Sequence, residues 1–285
     1  MFDKLFVLSQ YVTPQHTVSS VAGRLADNDR APALKNRVVK WFIKRYGVDM
    51  SEAAEQDPTA YPSFNAFFTR ALKPGTRPIA EGHNTLVSPV DGTISQLGQV
   101  TGDRVFQAKG QSFSLTELLG GDTQRADAFS EGEFSTIYLA PRDYHRIHMP
   151  LAGTLREMVH VPGKLFSVNP ATAENVPNLF ARNERVVCIF DTEAGPMALV
   201  LVGAMIVGSV ETPWAGVVVP GNNGVQAITY EGESAISFAK GDEMGRFRLG
   251  STVVMVMPRG RVSWNAEQAA GKRVRMGEAF GQVNP

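Results

Sequence analysis

The sequence predicts an α+β fold with an antiparallel, β-rich core and a set of amphipathic helices at its N-terminus. Two observations support this. Residues 1–72 carry apolar residues at helical spacing, whereas residues 73–285 carry short runs rich in Val, Ile and Phe. Turns with Gly, Pro or Asp separate those runs. We therefore expect a helical segment over 1–72 and a β-rich domain over 73–285.

The clearest predicted helix covers residues 33–46, and Gly47 follows it as a stop. Its apolar face consists of Leu34, Val38, Trp41, Phe42 and Ile43. Its basic face consists of Lys35, Arg37, Lys40, Lys44 and Arg45. A basic amphipathic helix with a tryptophan is typical of an element on an anionic membrane surface. A helix packed on the protein's own core, with a solvated basic face, explains the pattern too. Two shorter helices are expected at 1–8 and 19–26.

The β-rich part is expected to contain seven main strands, at 93–97, 134–139, 154–161, 185–191, 197–202, 246–249 and 252–257. One short helix interrupts them at 115–119. Ser114 and Glu117 have the spacing of a capping box at its start. The sum is a sheet-dominated core with few helices outside the N-terminal segment.

Composition narrows the function classes. The 285 residues include 28 basic and 28 acidic side chains, so global charge does not indicate a nucleic-acid partner. The single cysteine, Cys188, lies in an apolar run and is expected to be a small buried hydrophobe, with no internal disulfide possible. The longest apolar run, 197–207, has 11 residues, fewer than the roughly 18 of a spanning helix. No signal peptide is predicted, and we expect a cytoplasmic protein.

The bond between Gly250 and Ser251 stands directly before a buried strand and is chemically suited to self-cleavage. The Ser251 hydroxyl can attack the Gly250 carbonyl, which no side chain shields. The ester that results can eliminate and leave a pyruvoyl group at position 251, an electron sink used in amino-acid decarboxylation. A Gly-Ser pair also occurs at 208–209, and the dipeptide alone equally fits an ordinary turn.

Three further motifs accompany Leu-Gly-Ser-Thr at 249–252. They are Val-Ser-Pro-Val-Asp-Gly at 87–92, Tyr-His-Arg-Ile-His-Met-Pro at 144–150 and Pro-Gly-Lys-Leu-Phe-Ser-Val-Asn-Pro at 162–170. In this order they resemble bacterial phosphatidylserine decarboxylase, a pyruvoyl-dependent family. The resemblance runs from Phe-Asn-Ala-Phe-Phe-Thr-Arg at 64–70 to the final strands. It implies that the β-rich part at 73–285 is the catalytic domain.

This resemblance implies a proenzyme that cuts itself between Gly250 and Ser251 into residues 1–250 and 251–285, which stay associated. Ser251 would become the pyruvoyl cofactor. Asp91, His148 and Ser251 would form the charge relay of self-processing, with His148 as general base. His145 would act afterwards on the substrate, as proton donor and positioning group. Phosphatidylserine would form a Schiff base with the ketone, lose CO2 and yield phosphatidylethanolamine.

The resemblance also implies a substrate pocket and a membrane location. Phe166 and Ser167 are the candidates for the pocket wall, and Lys164 for a contact with the phosphate, although two plain turns explain this loop as well. Phe64, Phe67 and Phe68 fit either acyl chains or a core-facing stripe. We expect peripheral attachment to the anionic cytoplasmic face of the membrane, and a homo-oligomer is possible.

The spacing of the two neighbouring histidines sets a geometric condition. His145 and His148 are three residues apart, and residues at that spacing face opposite ways in a regular strand. If both serve one site, the segment around Ile147 must leave strand geometry.

Two alternatives from other classes, and one from within the pyruvoyl class, stay open. A zinc hydrolase would use His145, His148 and Asp91, but lacks a third clear ligand beyond the histidine pair, and we predict no metal. A non-catalytic β-rich binding module would keep the Gly250–Ser251 bond intact. A pyruvoyl-dependent decarboxylase of soluble amino acids would act on free serine and not on a serine phospholipid.

Overall fold

The computed structural model describes residues 2–205, 209–218, 224–248 and 251–285. Its helices are α1 (Phe2–Val12), α2 (Gln15–Ala26), α3 (Pro32–Tyr46), α4 (Phe64–Phe68), α5 (Leu115–Leu118), α6 (Thr123–Asp127), α7 (Pro170–Asn175) and α8 (Leu179–Arg182). Its strands are β1 (Thr85–Val87), β2 (Gly92–Gln99), β3 (Arg104–Ala108), β4 (Gln111–Ser114), β5 (Glu133–Leu139), β6 (Arg146–His148), β7 (Gly153–Val161), β8 (Arg185–Thr192), β9 (Gly195–Val202), β10 (Val210–Thr212), β11 (Gly216–Val218), β12 (Gln226–Thr229), β13 (Ile236–Phe238), β14 (Glu243–Phe247), β15 (Ser251–Met257), β16 (Val262–Trp264), β17 (Arg273–Val274) and β18 (Ala279–Val283).

A nine-stranded antiparallel sheet forms the centre of the protein. Its strand order is β12-β7-β8-β9-β15-β5-β2-β17, and β13 also pairs with β7. Three smaller sheets surround it, in the orders β1-β18-β16, β11-β10-β14-β6 and β3-β4. The predicted α+β class, with an antiparallel β-rich core and N-terminal helices, is confirmed.

Strand β15 explains why the central sheet is buried on both faces. Val254 and Val256 face one hydrophobic cluster, with α5, α7, α8 and the β3-β4 hairpin. Val253, Met255 and Met257 face the other, with residues of the small sheets. A continuous apolar run therefore marks a strand whose alternate side chains enter two separate cores.

The predicted strands all form, with ends that differ by a few residues. Position 249, the end of the sixth one, lies outside the described residues; the observed β14 ends at Phe247. The predicted capping box is only half present. Ser114 Oγ accepts the Glu117 N–H, but the Ser114 N–H donates to Asn178 Oδ1 rather than to the Glu117 carboxylate. Cys188 is fully buried, as expected, and burial raises the pKa of its thiol.

Helix α3 confirms the helix predicted at 33–46, and Gly47 ends it at φ +68°, a conformation that glycine adopts without steric cost. The prediction of Lys35 on the solvated basic face is wrong. Lys35 is buried, and its ammonium group donates to the carbonyl oxygens of Thr59 and Tyr61. The buried face instead centres on Val39 and Phe42.

A small separate core ties α3 to α4. It contains Val39, Phe42, Phe67 and Phe68, and Phe67 and Phe68 are almost fully buried. These phenylalanines thus form a core-facing stripe. None of the helices in the described part of the chain is both long and apolar enough to cross a bilayer.

Candidate active site

The edge of the sheet at the end of β5 gathers the motifs that the sequence singled out. Strands β2 and β15 flank β5 and both run antiparallel to it, so both begin where β5 ends. Ser251 pairs with Leu139, and Thr93 pairs with Tyr138. Asp91 directly precedes β2, so its backbone lies about 10 Å from that of Ser251, two strand spacings away.

The loop after β5 brings both histidines to the same edge. The Phe247 N–H donates to the His145 carbonyl oxygen at 2.9 Å, through the region where β6 meets β14. The His148 N–H donates to the Pro89 carbonyl oxygen at 2.9 Å, two residues before Asp91. Backbone pairing, and not sequence proximity, therefore assembles these residues.

The Ser251 hydroxyl is fully buried and has no hydrogen-bond partner among the described residues. Its position in β15 directs it to the same face as Val253 and Leu139. A buried hydroxyl without a partner costs stability, and such groups commonly mark functional positions. The other half of the expected cleavage site, Gly250, and the preceding Leu249 lie outside the described residues.

His145 is a neutral base with a free nitrogen. Its Nδ1 lies 2.9 Å from the Asp143 carbonyl oxygen, so Nδ1 carries the proton and donates it. Its Nε2 has no partner in the described part of the chain, and its ring packs on Phe68 at 4.0 Å. Burial, together with a smaller effect of the positive charge of Arg70, lowers the pKa of His145 to about 3, although the hydrogen bond to the Asp143 carbonyl oxygen opposes this. The lone pair of Nε2 is therefore available at neutral pH.

His148 is also neutral, but its lone pair is occupied. Its Nδ1 donates to the Gly241 carbonyl oxygen at 2.8 Å, and its Nε2 accepts from the Tyr144 hydroxyl at 3.1 Å. Burial lowers the pKa of His148, although the Gly241 hydrogen bond opposes that effect. Tyr144, which the sequence did not single out, thus occupies the nitrogen that a general base would use.

Asp91 binds an arginine and not a histidine. Its carboxylate accepts from Arg77 Nε at 2.9 Å, from Arg77 Nη2 at 2.5 Å and from the Met276 N–H at 2.9 Å. No described hydrogen bond joins Asp91, His148 and Ser251. The fold brings the three implied relay residues to one edge, yet the relay itself requires the His148 ring to leave Tyr144 and Gly241.

The expected departure from strand geometry lies before Ile147 and not around it, because β6 begins at Arg146 and His145 precedes it in the loop after β5. The segment Arg146–His148 keeps strand geometry as β6, and the rings of His145 and His148 share no partner. Among the described residues, no group of three or more His, Cys, Asp or Glu side chains is arranged to hold a metal ion. The Asp91 carboxylate that a zinc site would need is engaged by Arg77.

The loop at 162–167 follows β7 and reaches the same edge of the sheet, three strands from β15. Phe166 is buried among apolar residues, with its ring under the Arg182 guanidinium at 5.1 Å. Lys164 is exposed and lines a cavity of about 380 Å³ with Tyr11 and Arg182. No described contact joins Lys164, Phe166 or Ser167 to Ser251.

Two glutamines of the N-terminal helices hold this loop, and sequence reasoning missed them. Gln10 Oε1 accepts the Ser167 N–H and Gln15 Oε1 accepts the Leu165 N–H, both at 2.7 Å. Both side chains are almost fully buried. Nothing in the spacing of the sequence distinguishes them from exposed glutamines, because their partners lie some 150 residues away along the chain.

A buried serine hydroxyl, two neutral histidines and a carboxylate at one sheet edge define an enzyme site for nucleophilic and acid–base chemistry. Comparison with known proteins narrows this class. The sequence profile described as "Phosphatidylserine decarboxylase" matches residues 64–282, and a second one, described as "PSD", matches residues 5–47.

Three relatives match almost end to end, and each is called phosphatidylserine decarboxylase proenzyme. The protein of Marinobacter nauticus is 74% identical over 284 residues, which cover 100% of this chain and 99% of the relative. Those of Hahella chejuensis and Ectopseudomonas mendocina are each 59% identical, over 99% of this chain and over 95% and 99% of the relatives. The chain belongs to the phosphatidylserine decarboxylase family of carboxy-lyases.

The glutamine anchors generate a first prediction. Gln15→Ala removes the acceptor of a buried backbone N–H, so the free energy of unfolding is expected to fall by about 1–3 kcal/mol. Amide hydrogen exchange over 163–168 is expected to accelerate at the same time. Gln99→Ala is the matched control, because exposed Gln99 holds only the Glu131 carbonyl oxygen. Unchanged exchange in the loop would show that the helices do not hold it.

The buried neutral His145 generates a second prediction. Its folded pKa is about 3, against an ordinary histidine pKa of about 6.5, so only the unfolded chain takes up this proton as the pH falls below about 6.5. Its contribution to stability is therefore complete above pH 6.5 and shrinks towards pH 3, with about 2 kcal/mol lost at pH 5. Urea unfolding of uncut Ser251→Ala protein from pH 7 to 5 measures the slope. Adding His145→Gln should flatten it; an unchanged slope would contradict the assignment.

Proposed function

We propose that this chain is a pyruvoyl-dependent phosphatidylserine decarboxylase, made as a proenzyme that cuts itself between Gly250 and Ser251. The observation that carries the proposal is the Ser251 hydroxyl, buried and unpartnered at the start of a central strand. Two neutral histidines lie at the same edge, and the relative with 74% identity bears the name of such a proenzyme.

Self-processing uses the chain's own atoms and one water molecule. The Ser251 oxygen attacks the Gly250 carbonyl carbon, and the peptide C–N bond breaks as its nitrogen takes the proton. A base then removes the α-proton of residue 251, and the Gly250 carboxylate leaves from the β-carbon. Hydrolysis of the resulting enamine, after tautomerisation, releases ammonia and leaves the pyruvoyl group. Residues 1–250 keep a new carboxylate end.

We assign the base of self-processing to His148, with Asp91 as its orienting carboxylate. His148 is neutral at physiological pH because burial lowers its pKa, so it can accept a proton. Its Nε2 must first give up the Tyr144 hydroxyl, and Asp91 must share its oxygens between Arg77 and the ring. Two observations support the pairing: the His148 N–H donates to the carbonyl oxygen of Pro89, two residues before Asp91, and the charge of Asp91 acts to raise the pKa of His148.

The two cut chains stay together because the small one supplies the middle of the sheet. All seven residues of β15 are buried, with pairing to β5 on one side and to β9 on the other. Strands β17 and β18, also after the cut, pair with β2 and β1. Cleavage removes one covalent bond and leaves these pairings in place.

Residue 251 suits a pyruvoyl group because it is buried, held by a strand and free of competing hydrogen bonds. The group supplies a ketone that binds the substrate amine and accepts the electrons released with CO2. Leu139 and Val253 make the neighbouring surface apolar, which favours the loss of a charged carboxylate. Phe166 and Ser167 are proposed as the outer wall of the pocket, and exposed Lys164 as a contact for the lipid phosphate.

His145 is proposed as the proton shuttle of decarboxylation. With a pKa near 3 it is neutral, so it cannot begin as a proton donor. Its free Nε2 can take the proton that the substrate ammonium must lose before the nitrogen reacts. The same nitrogen then returns this proton to the α-carbon after CO2 has left, which leaves His145 neutral for the next cycle.

The N-terminal helices are proposed to dock on the anionic cytoplasmic face of the membrane as a peripheral element. Nine of the twelve large hydrophobic side chains exposed in the described residues lie on α1, α2 and α3. On α3 these are Leu34, Val38 and Trp41, next to the exposed cations Arg37 and Lys40. Contiguous exposed apolar side chains rimmed by cations fit an anionic lipid surface.

Intact mass of the denatured, purified protein tests the proposed processing. Wild type should give two chains, with the one of residues 251–285 lighter than its sequence by one ammonia. Ser251→Ala and His148→Ala should stay full length, whereas His145→Ala should be cut but inactive on phosphatidylserine. An uncut His145→Ala would mean that the roles of the histidines are divided wrongly.

Substrate assays on the processed protein separate the remaining classes. Release of CO2 from phosphatidylserine vesicles, with none from free serine, is the expected result. Turnover of free serine alone would favour a soluble amino-acid decarboxylase. A single uncut chain that binds lipid without turnover would favour a binding module.

Vesicle binding tests the proposed docking surface. Trp41→Ala removes a large exposed apolar side chain from α3 and is expected to weaken binding to vesicles that contain anionic lipid by about tenfold. Trp264→Ala serves as the control, because that tryptophan packs on Phe280 in the β-rich domain. Flotation with equal recovery of wild type and Trp41→Ala would remove α3 from the docking surface.

A further inference from the structure

Arg70 is a buried arginine that forms no salt bridge with a carboxylate among the described residues. Its side chain is 4% exposed, and its Nε and Nη1 have no hydrogen-bond partner in the described part of the chain. Its remaining contacts are a hydrogen bond from Nη2 to the Arg142 carbonyl oxygen at 3.2 Å and the Phe67 ring at 5.6 Å. A guanidinium group stays charged when buried. Two of its nitrogen atoms therefore carry N–H groups that lack an acceptor, beside a buried positive charge.

Arg70 lines a polar cavity of about 220 Å³ next to the candidate active site. Asp91 and Tyr144 line the same cavity. The positive charge of Arg70 also acts on His145, where it lowers the pKa of the imidazole. Five arginines and four carboxylates form its walls, which leaves one net positive charge. The other four arginines each lie within 4.0 Å of a carboxylate oxygen. Arg70 is therefore the one arginine of these walls with no carboxylate oxygen within 4.0 Å among the described residues.

The volume limits what this cavity accepts. Pockets that bury drug-sized ligands measure roughly 300–1,000 Å³, so this cavity takes a headgroup-sized anion and not an acyl chain. We propose that Arg70, rather than Lys164, is the anion-binding residue of a headgroup subsite that takes the phosphodiester of the substrate. This inference rests on the proposed function, since it names which part of that substrate the cavity binds.

The chemistry of decarboxylation favours the phosphodiester over the substrate carboxylate. A cation held against the carboxylate would stabilise a charge that must disappear as CO2 leaves, and would raise the barrier. The phosphodiester keeps its single negative charge from binding to product release. Arg70 therefore contributes binding that is equal in ground state and transition state, which affects KM and not kcat.

Kinetics of processed variants give the first test. Arg70→Met should be cut normally and show a KM for phosphatidylserine raised about 10- to 100-fold, with kcat within about threefold of wild type. Arg70→Lys keeps the charge but not the fork of donors, so its KM should lie between those of wild type and Arg70→Met. Arg156→Met removes a positive charge paired with Asp191 and should leave KM unchanged. If Lys164→Met raises KM and neither Arg70 variant does, the subsite is not at Arg70.

Thermal melting tests the subsite without turnover. Inorganic phosphate and glycerophosphoserine should each raise the melting temperature of wild type, and serine, which lacks phosphate, should not. The shifts should vanish in Arg70→Met and shrink in Arg70→Lys, which also covers the case that Arg70→Met does not fold. A phosphate shift that persists in both variants would overturn the proposal, as would a shift from phosphate but none from glycerophosphoserine. A wild type inactive on phosphatidylserine would refute the proposed function, whereas these shifts report on the subsite alone.

Discussion

The pairing of β15 between β5 and β9 is the constraint on which the rest of the molecule depends. Because both neighbours run antiparallel to β15, its first residue, Ser251, lies beside the end of β5 and the end of β9. The loop that leaves β5 then carries the histidines to this edge, and the antiparallel neighbour β2, which begins there, brings Asp91 to it. The strand is buried on both faces, so a cut in front of it frees a chain end without releasing the strand.

Burial also determines the electrostatics of this edge. It keeps His145 and His148 neutral, because a charged imidazole loses its hydration there. The guanidinium group of Arg70 does not lose its proton on burial. It is therefore a buried cation that a bound anion would stabilise. In the proposed mechanism, one environment would thus provide two proton acceptors and one anion-binding group for a substrate that carries an amine, a carboxylate and a phosphodiester.

The N-terminal helices connect the surface of the protein to its site. Helices α1 and α2 expose apolar side chains such as Leu8 and Leu25, and the same pair supplies Gln10 and Gln15 to the loop at 162–167. A lipid surface that orders these helices would also order that loop. The proposed docking surface and the proposed substrate pocket are therefore connected through the same two helices.

The sequence by itself determined the main elements and named the candidate site residues. Apolar periodicity located α3 and the seven main strands, and the motifs located Asp91, His145, His148 and Ser251, because such patterns are local along the chain. Only the tertiary structure decided the contacts: Lys35 buried against loop carbonyls, Asp91 bound to Arg77, and Arg70 left with no salt bridge to a carboxylate among the described residues. Hydrogen bonds and ion pairs between residues tens or hundreds of positions apart depend on how sheets and helices pack, and no local spacing encodes that packing.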